Sequence, residues 1–278
     1  MLQAETPAIT ERRLKLELRL AQIEEMKGCR ENFLLYVKKM WPEFIGGAHH
    51  SMIAKKFEDI ANGKNKRLII NMPPRHTKSE FASYLFPSWI IGRAPKTKII
   101  QTTHTAELAV NFGRKVRNLL ATEQFETIFE NVELQADSKA AGRWSTNHGG
   151  EYFAAGVGGA ITGRGADLLI IDDPHSEQDA LSETTMEHAY ADHSDKWEVI
   201  EFPAIMPSGN ACWPEYWNKE ELLGVKASLS VSKWNAQWQQ NPTSEEGAII
   251  KKEWWQRWEE DEVPNLEFVI QSYDTAFS

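Results

Sequence analysis

"IINMPPRHTKSE", Ile69 to Glu80, is the stretch on which the fold turns. A short apolar run, Arg67 to Asn71 (RLIIN), leads into it and reads as a buried strand. A helical pattern leaves it, over about residues 79–91. Between the two, Lys78 and Ser79 fill the last two places of the pattern G-x-x-x-x-G-K-[ST], while Met72 and Thr77 stand where its glycines belong. Strand, loop and helix recur at once: Lys98 to Thr103 (KIIQTT) reads as a second strand and Ala106 to Leu120 as a second helix. That alternation predicts an α/β fold with a mainly parallel sheet flanked by helices.

A loop that cradles phosphates needs inward backbone N–H groups, a helix N-terminus behind them, a cation for the β/γ oxygens and a hydroxyl for Mg²⁺. Lys78 supplies the cation and Ser79 the hydroxyl. Pro73 and Pro74 stiffen the entry but donate no N–H, so Arg75, His76 and Thr77 must provide the amides. Thr77 takes a place where glycine would adopt a positive φ, a costly angle for a β-branched residue. The candidate nucleotide-binding residues are therefore Pro74, Arg75, His76, Thr77, Lys78 and Ser79. Read alone, the loop also fits a plain turn before a capped helix.

A second motif strengthens the first. ADLLIIDDP, Ala166 to Pro174, is an apolar strand that delivers two carboxylates at its C-terminal edge, where ligand sites of α/β sheets lie. Asp172 fits the acid that holds magnesium, and Asp173 fits the acid that polarises an attacking water. Arg164, in T-G-R-G just upstream, reads either as an arginine finger, in cis or across a subunit boundary, or as a DNA- or solvent-facing residue. Arg75 competes for that role.

Around these motifs, Glu11 to Lys27 and the stretches over about residues 30–40 and 51–62 read as helices. Arg143 to Ala155 reads as a hairpin turning at Asn147–Gly150, Ser176 to Tyr190 as a helix, and Trp197 to Phe202 as a strand. Lys233 to Gln240 should be helical, and Leu266 to Tyr273 should open a last strand. The expected organisation is an N-terminal helical region (1–62), an ATPase core (63–205), a linker subdomain (206–264) rich in tryptophan, and a final strand (265–278).

The bulk numbers restrict the partners. The 278 residues carry 31 basic and 40 acidic side chains, a net charge of −9, which argues against coating nucleic acid through bulk charge. Local basic clusters remain, such as Arg114, Lys115 and Arg117. No apolar run approaches the roughly 18 residues of a membrane span, and the N-terminus lacks a signal-peptide core, so a soluble intracellular protein is expected. Cys29 and Cys212 fit no metal spacing and read as free thiols. The eight histidines show no ligand spacing and read as structural or surface residues.

With these residues assembled, the sequence resembles the large subunit of the tailed-phage terminase, the ATPase that packages DNA into proheads. The matching pieces are RLIINMPPRHTKSE, KIIQTTHT, GGAITGRGADLLIIDDPH, WNAQWQQNPTSEEGAIIKKEWW and SYDTAFS, which together span most of Arg67 to Ser278. The resemblance implies a P-loop NTPase of the ASCE type, with ATP and Mg²⁺ as cofactors. Lys78 and Ser79 then belong to a variant Walker A motif, Asp172 is the Walker B acid, and Asp173 takes the place of the catalytic acid. Thr102 and Thr103 fall in a segment that lies near nucleotide and DNA in related motors. Implied partners are double-stranded DNA gripped without sequence preference, a portal protein, a small subunit and a homo-oligomeric ring, in the host cytoplasm.

In the same family an RNase H-like nuclease follows, and Asp274 matches its first metal-binding aspartate. The sequence ends four residues later. One carboxylate cannot hold a two-metal clamp, so no DNA cleavage is expected from this chain alone. Relatives also carry a coupling-motif strand between the Walker B helix and the WEVIEF strand. No apolar strand occurs here between Tyr190 and Trp197. A helicase-like translocase and a non-catalytic remnant that binds ATP or DNA without turnover are the alternative readings.

Overall fold

The computed structural model describes residues 7–159, 161, 163–174 and 197–241. The helix expected over 176–190, residues 242–264 of the linker and the final strand with Asp274 lie outside the described residues. Three helices lead: α1 (Pro7–Glu31), α2 (Phe33–Met40) and α3 (Ala48–Ala61). Asn32 caps α2 by accepting from the Leu35 N–H at 2.8 Å. The core then alternates: β1 (Leu68–Asn71), the phosphate-loop segment, α4 (Phe86–Arg93), β2 (Lys98–Thr103), α5 (Ala106–Leu120) and α6 (Glu123–Ile128). Strands β3 (Leu134–Ala140), β4 (Arg143–Thr146), β5 (Glu151–Gly156), β6 (Leu168–Ile171) and β7 (Glu198–Glu201) follow. A helix over Lys219–Ser228 has a capping box, with Asn218 and Glu221 each accepting the other's backbone N–H.

The α/β class and the mostly parallel sheet are as expected, and the parallel strands carry an antiparallel edge. Its order is β3-β4-β5-β2-β6. Strands β5, β2 and β6 run parallel, and the expected hairpin adds β4 and then β3 antiparallel at one edge. β1 and β7 form a separate parallel pair with Ile69 opposite Val199. β1 and β6 therefore both end as sheet edges, and no described strand joins them. Leu169 and Ile171 of β6 and Val199 of β7 are left about half exposed.

One helix face holds the sheet. α5 buries Ala109, Phe112, Gly113, Val116, Leu119 and Leu120, the three- and four-residue spacing of an amphipathic helix. Gly113 lets it approach closely, because a Cβ there would lie 2.6 Å from the Ala141 carbonyl oxygen. Trp144 donates its indole N–H to the Gly113 carbonyl at 3.0 Å and stacks on Tyr152. Phe33, Phe57, Phe81, Phe86 and Trp89 join the N-terminal helices to the same core. Ala204, Ala211, Leu222, Trp234 and Trp238 make a second, smaller cluster at the start of the expected linker.

The helix after loop 72–79 differs from the expected plain helix. It opens as a π-helical turn, Glu80–Leu85, before continuing as α4. Pro87, at the start of α4, has no N–H to give the carbonyl four residues back, and the wider turn sits just before it. The helix read near the C-terminus is likewise a short α turn, Val231–Lys233, followed by a π turn, Trp234–Trp238. No helix among the described residues is long and apolar enough to cross a membrane. Cys29 and Cys212 are buried free thiols.

Candidate functional site

The phosphate-loop segment leaves the C-terminal end of β1, and the two aspartates leave the C-terminal end of β6. Asp172 is anchored to β2 by its N–H, which donates to the Thr102 carbonyl at 2.9 Å. The Asp173 carbonyl accepts from the His104 N–H at 3.1 Å. Three residues here hold left-handed backbone: Arg75 at φ 60°, Thr77 at φ 66° and Asp173 at φ 43°. The strain expected at Thr77 is thus present, and such strain persists only where surrounding structure over-determines it.

Side chains tie the two strand ends together. The Lys78 ammonium forms an ion pair with the Asp173 carboxylate. Ser83, on the π turn, donates to Asp172 at 2.8 Å and accepts from the Gln101 amide at 3.1 Å. Asp172 is 5% exposed. Burial pushes its carboxyl above the usual range, the Ser79 and Ser83 hydroxyls pull it back, Asp173 raises it and Lys78 lowers it. The result is a desolvated carboxylate oriented by hydroxyls, beside an exposed one held by a lysine.

The other sequence-derived residues divide. Pro74 and Arg75 are exposed at the loop tip, and Arg75 pairs with no carboxylate among the described residues. Thr102 and Thr103 lie beside the aspartates, but their hydroxyls donate inward to the carbonyls of Ile170 and Thr105. Arg164 is not brought to this site. Its guanidinium lies 4.0 Å from the centre of the Phe153 ring. Lys98 and Glu151, the first residues of β2 and β5, line the same shallow pocket. The aspartates lie by the opposite ends of those strands.

Sequence reasoning missed Ser83, Gln101 and His50. Gln101 left a signal, a single amide in the apolar strand KIIQTT. His50 accepts the Gly47 N–H at Nδ1, 2.9 Å away, and its Nε2 lies 2.8 Å from Thr77 Oγ1. His49 and His76 pack near it against Trp213. His76 Nδ1 donates to the Pro74 carbonyl at 2.9 Å, while its Nε2 is buried without a partner, and His49 is buried beside the Cys212 backbone.

This cluster makes the fold acid-sensitive. Burial lowers His49 to about 4, helped by the neighbouring His76, and lowers His50 to about 3, helped by His49 and His76. His76 is lowered by burial as well, against the pull of its bond to Pro74. Unfolded histidine takes up its proton near 6.5, so the neutral rings stabilise the fold fully above that pH. That contribution is lost as pH falls from 6.5 toward 4 for His49, and from 6.5 on toward 3 for His50. Urea unfolding should show a loss of about 2–5 kcal/mol between pH 7 and pH 5. His49→Leu, which removes one buried ionisable ring from the cluster, should flatten that slope by about one proton; an unchanged slope would exclude His49 as its source.

No group of three or more His, Cys, Asp or Glu side chains suited to a metal ion occurs among the described residues. What the arrangement offers is narrower: one buried carboxylate, adjacent hydroxyls, and an ammonium paired with a second carboxylate at the ends of two strands. No family model matches the chain and no curated protein matches it, so the chemistry of the site rests on its own geometry.

Proposed function

We propose that the chain is a P-loop ATPase of the terminase type, a motor subunit that hydrolyses ATP to move double-stranded DNA into a prohead. One observation carries the catalytic part of this reading. Lys78 and Ser83, on and behind the loop after β1, grip Asp173 and Asp172 after β6. A lysine from one strand end, facing adjacent acids from another, with Ser79 beside it also bonded to Asp172, supports the arrangement that Mg-nucleotide hydrolysis uses. The DNA, the portal protein, the small subunit and the ring are supported by the resemblance in sequence.

Asp172 and Ser79 suit magnesium, which is bound by one or two carboxylates while phosphates and waters supply the remaining places. Held by Asp172 and Ser79, such an ion would neutralise negative charge on the phosphates. The chain's own residues do the rest. Lys78 exchanges Asp173 for the phosphates. Asp173, released, orients the attacking water and accepts its proton. Arg75, exposed at the loop tip, meets the charge that develops on the transferring phosphoryl group. Arg164 serves that role only from a neighbouring subunit, because in its own chain it stacks on Phe153.

A second reading, nucleotide binding without turnover, is favoured by the split between β1 and β6. Titration with Mg-ATP and a steady-state phosphate-release assay separate the two. The wild-type chain should bind and turn over Mg-ATP, and Lys78→Ala should bind it at least about tenfold more weakly. Equal binding by both proteins would remove the site; binding without turnover would select the second reading.

A further inference from the structure

We propose that His50, at the start of α3, is a positioning residue that holds Thr77 in its left-handed conformation and so sets the shape of the phosphate loop. The inference rests on the nucleotide-binding reading for its consequence, but not for its geometry.

The hydrogen bonds fix the protonation state of the ring. Gly47 N–H can only donate, so His50 Nδ1 carries a lone pair. Thr77 Oγ1 gives its one proton to the His76 carbonyl, 2.6 Å away. Its contact with His50 Nε2 therefore runs the other way, with Nε2–H donating to Oγ1 at 2.8 Å. The imidazole is neutral and both its nitrogens are used. Phe44 and Phe81 flank the ring at 4.8 and 5.0 Å and Trp213 meets it edge-on at 4.9 Å, so it has little freedom to turn.

Thr77 needs such a brace. It stands where the phosphate-loop pattern has glycine, and its φ of 66° is one that a β-branched residue avoids. Glycine reaches that angle without help. Threonine reaches it here with its hydroxyl fastened at both ends, to the loop's own backbone and to α3. His50 thus replaces, through a tertiary bond, what glycine supplies by lacking a side chain. Its neighbours Lys78 and Ser79 depend on that angle for their direction, because Thr77 immediately precedes them and its carbonyl accepts the Phe81 N–H that starts the helix.

The test is a double-mutant cycle on the full chain: wild type, His50→Ala, Thr77→Gly and both together, with His50→Gln as the conservative variant. Two measurements are made on each, thermal unfolding and equilibrium binding of Mg-ATP. His50→Ala should weaken binding roughly three- to tenfold, the range that loss of one ordinary hydrogen bond gives. In the Thr77→Gly background the same substitution should change binding less than about twofold, since glycine holds the angle unaided. His50→Gln, which keeps an N–H near the place of Nε2, should recover part of the loss. The drop in melting temperature caused by His50→Ala should likewise shrink when residue 77 is glycine. A residue that merely fills the core would give equal losses in both backgrounds, and that result overturns the proposal. If the melting temperatures couple but neither wild type nor Thr77→Gly binds Mg-ATP, the brace stands and the nucleotide reading falls.

Discussion

Asp173→Asn should remove most ATP turnover, a loss of about 100- to 10,000-fold, while Mg-ATP binds at least as tightly as to wild type. The two halves of this prediction have separate causes. A carboxylate can take a proton from water and an amide cannot, so the chemical step suffers. Binding changes in the other direction, because Asp173 holds the Lys78 ammonium before nucleotide arrives. The phosphates must compete for that lysine, and neutralising its partner ends the competition. The Asp173 side chain is 58% exposed, so the pair itself adds little to folding, and the variant should unfold near the wild-type midpoint. Asp172→Asn should behave differently. It takes the charge from the buried, hydroxyl-bonded acid and should weaken magnesium-dependent binding first. Phosphate release under saturating Mg-ATP, with binding measured separately, checks both variants. Turnover of Asp173→Asn within about threefold of wild type would exclude Asp173 from the chemical step.

The parts of this site that were legible in the sequence are those carried by contiguous residues. RLIIN and LLIIDD announce themselves as strands ending in chemistry, and Thr77 in a glycine's place signals its own strain. The parts that were not legible come from tertiary pairings. Gln101 and Ser83 sit on different elements, and their bond exists only once β2 packs on the π turn. The π turn itself has no periodic signature of its own; Pro87 marks it only in retrospect. His50 precedes Thr77 by 27 residues, and a histidine at a helix start reads as nothing in particular until the loop folds against it. β3 (LQADSKA) carries almost no apolar pattern, because it is an antiparallel edge strand rather than a buried one. Arg164 shows the same limit: its glycine-rich surroundings suggest reach, but only the fold shows the guanidinium over Phe153 on β5.

Phe33→Ala should cost about 3–5 kcal/mol of stability and should also weaken Mg-ATP binding, although Phe33 lies in α2, outside the candidate site. The ring is fully buried and meets Phe57, Phe81, Phe86 and Trp89 with centroids 5.3 to 5.8 Å apart. Truncation leaves a cavity among large rigid rings, which cannot collapse into it without leaving their own packing. Two of those rings matter beyond stability. Phe81 lies in the π turn and Phe86 closes it, so they hold the segment that carries Ser83 to Asp172 and that follows directly from Lys78 and Ser79. Loosening them lets the segment shift relative to β6, and the hydroxyl–carboxylate geometry shifts with it. Leu18→Ala on the exposed part of α1 is the control: the side chain is 63% exposed, and its loss should change stability by less than about 0.5 kcal/mol and leave binding unchanged. Urea unfolding and Mg-ATP titration of the two variants, at a temperature where both stay folded, decide the matter. If Phe33→Ala loses stability but binds Mg-ATP as wild type does, α2 stabilises the fold without shaping the site, and the strained loop must take its shape from α3 alone.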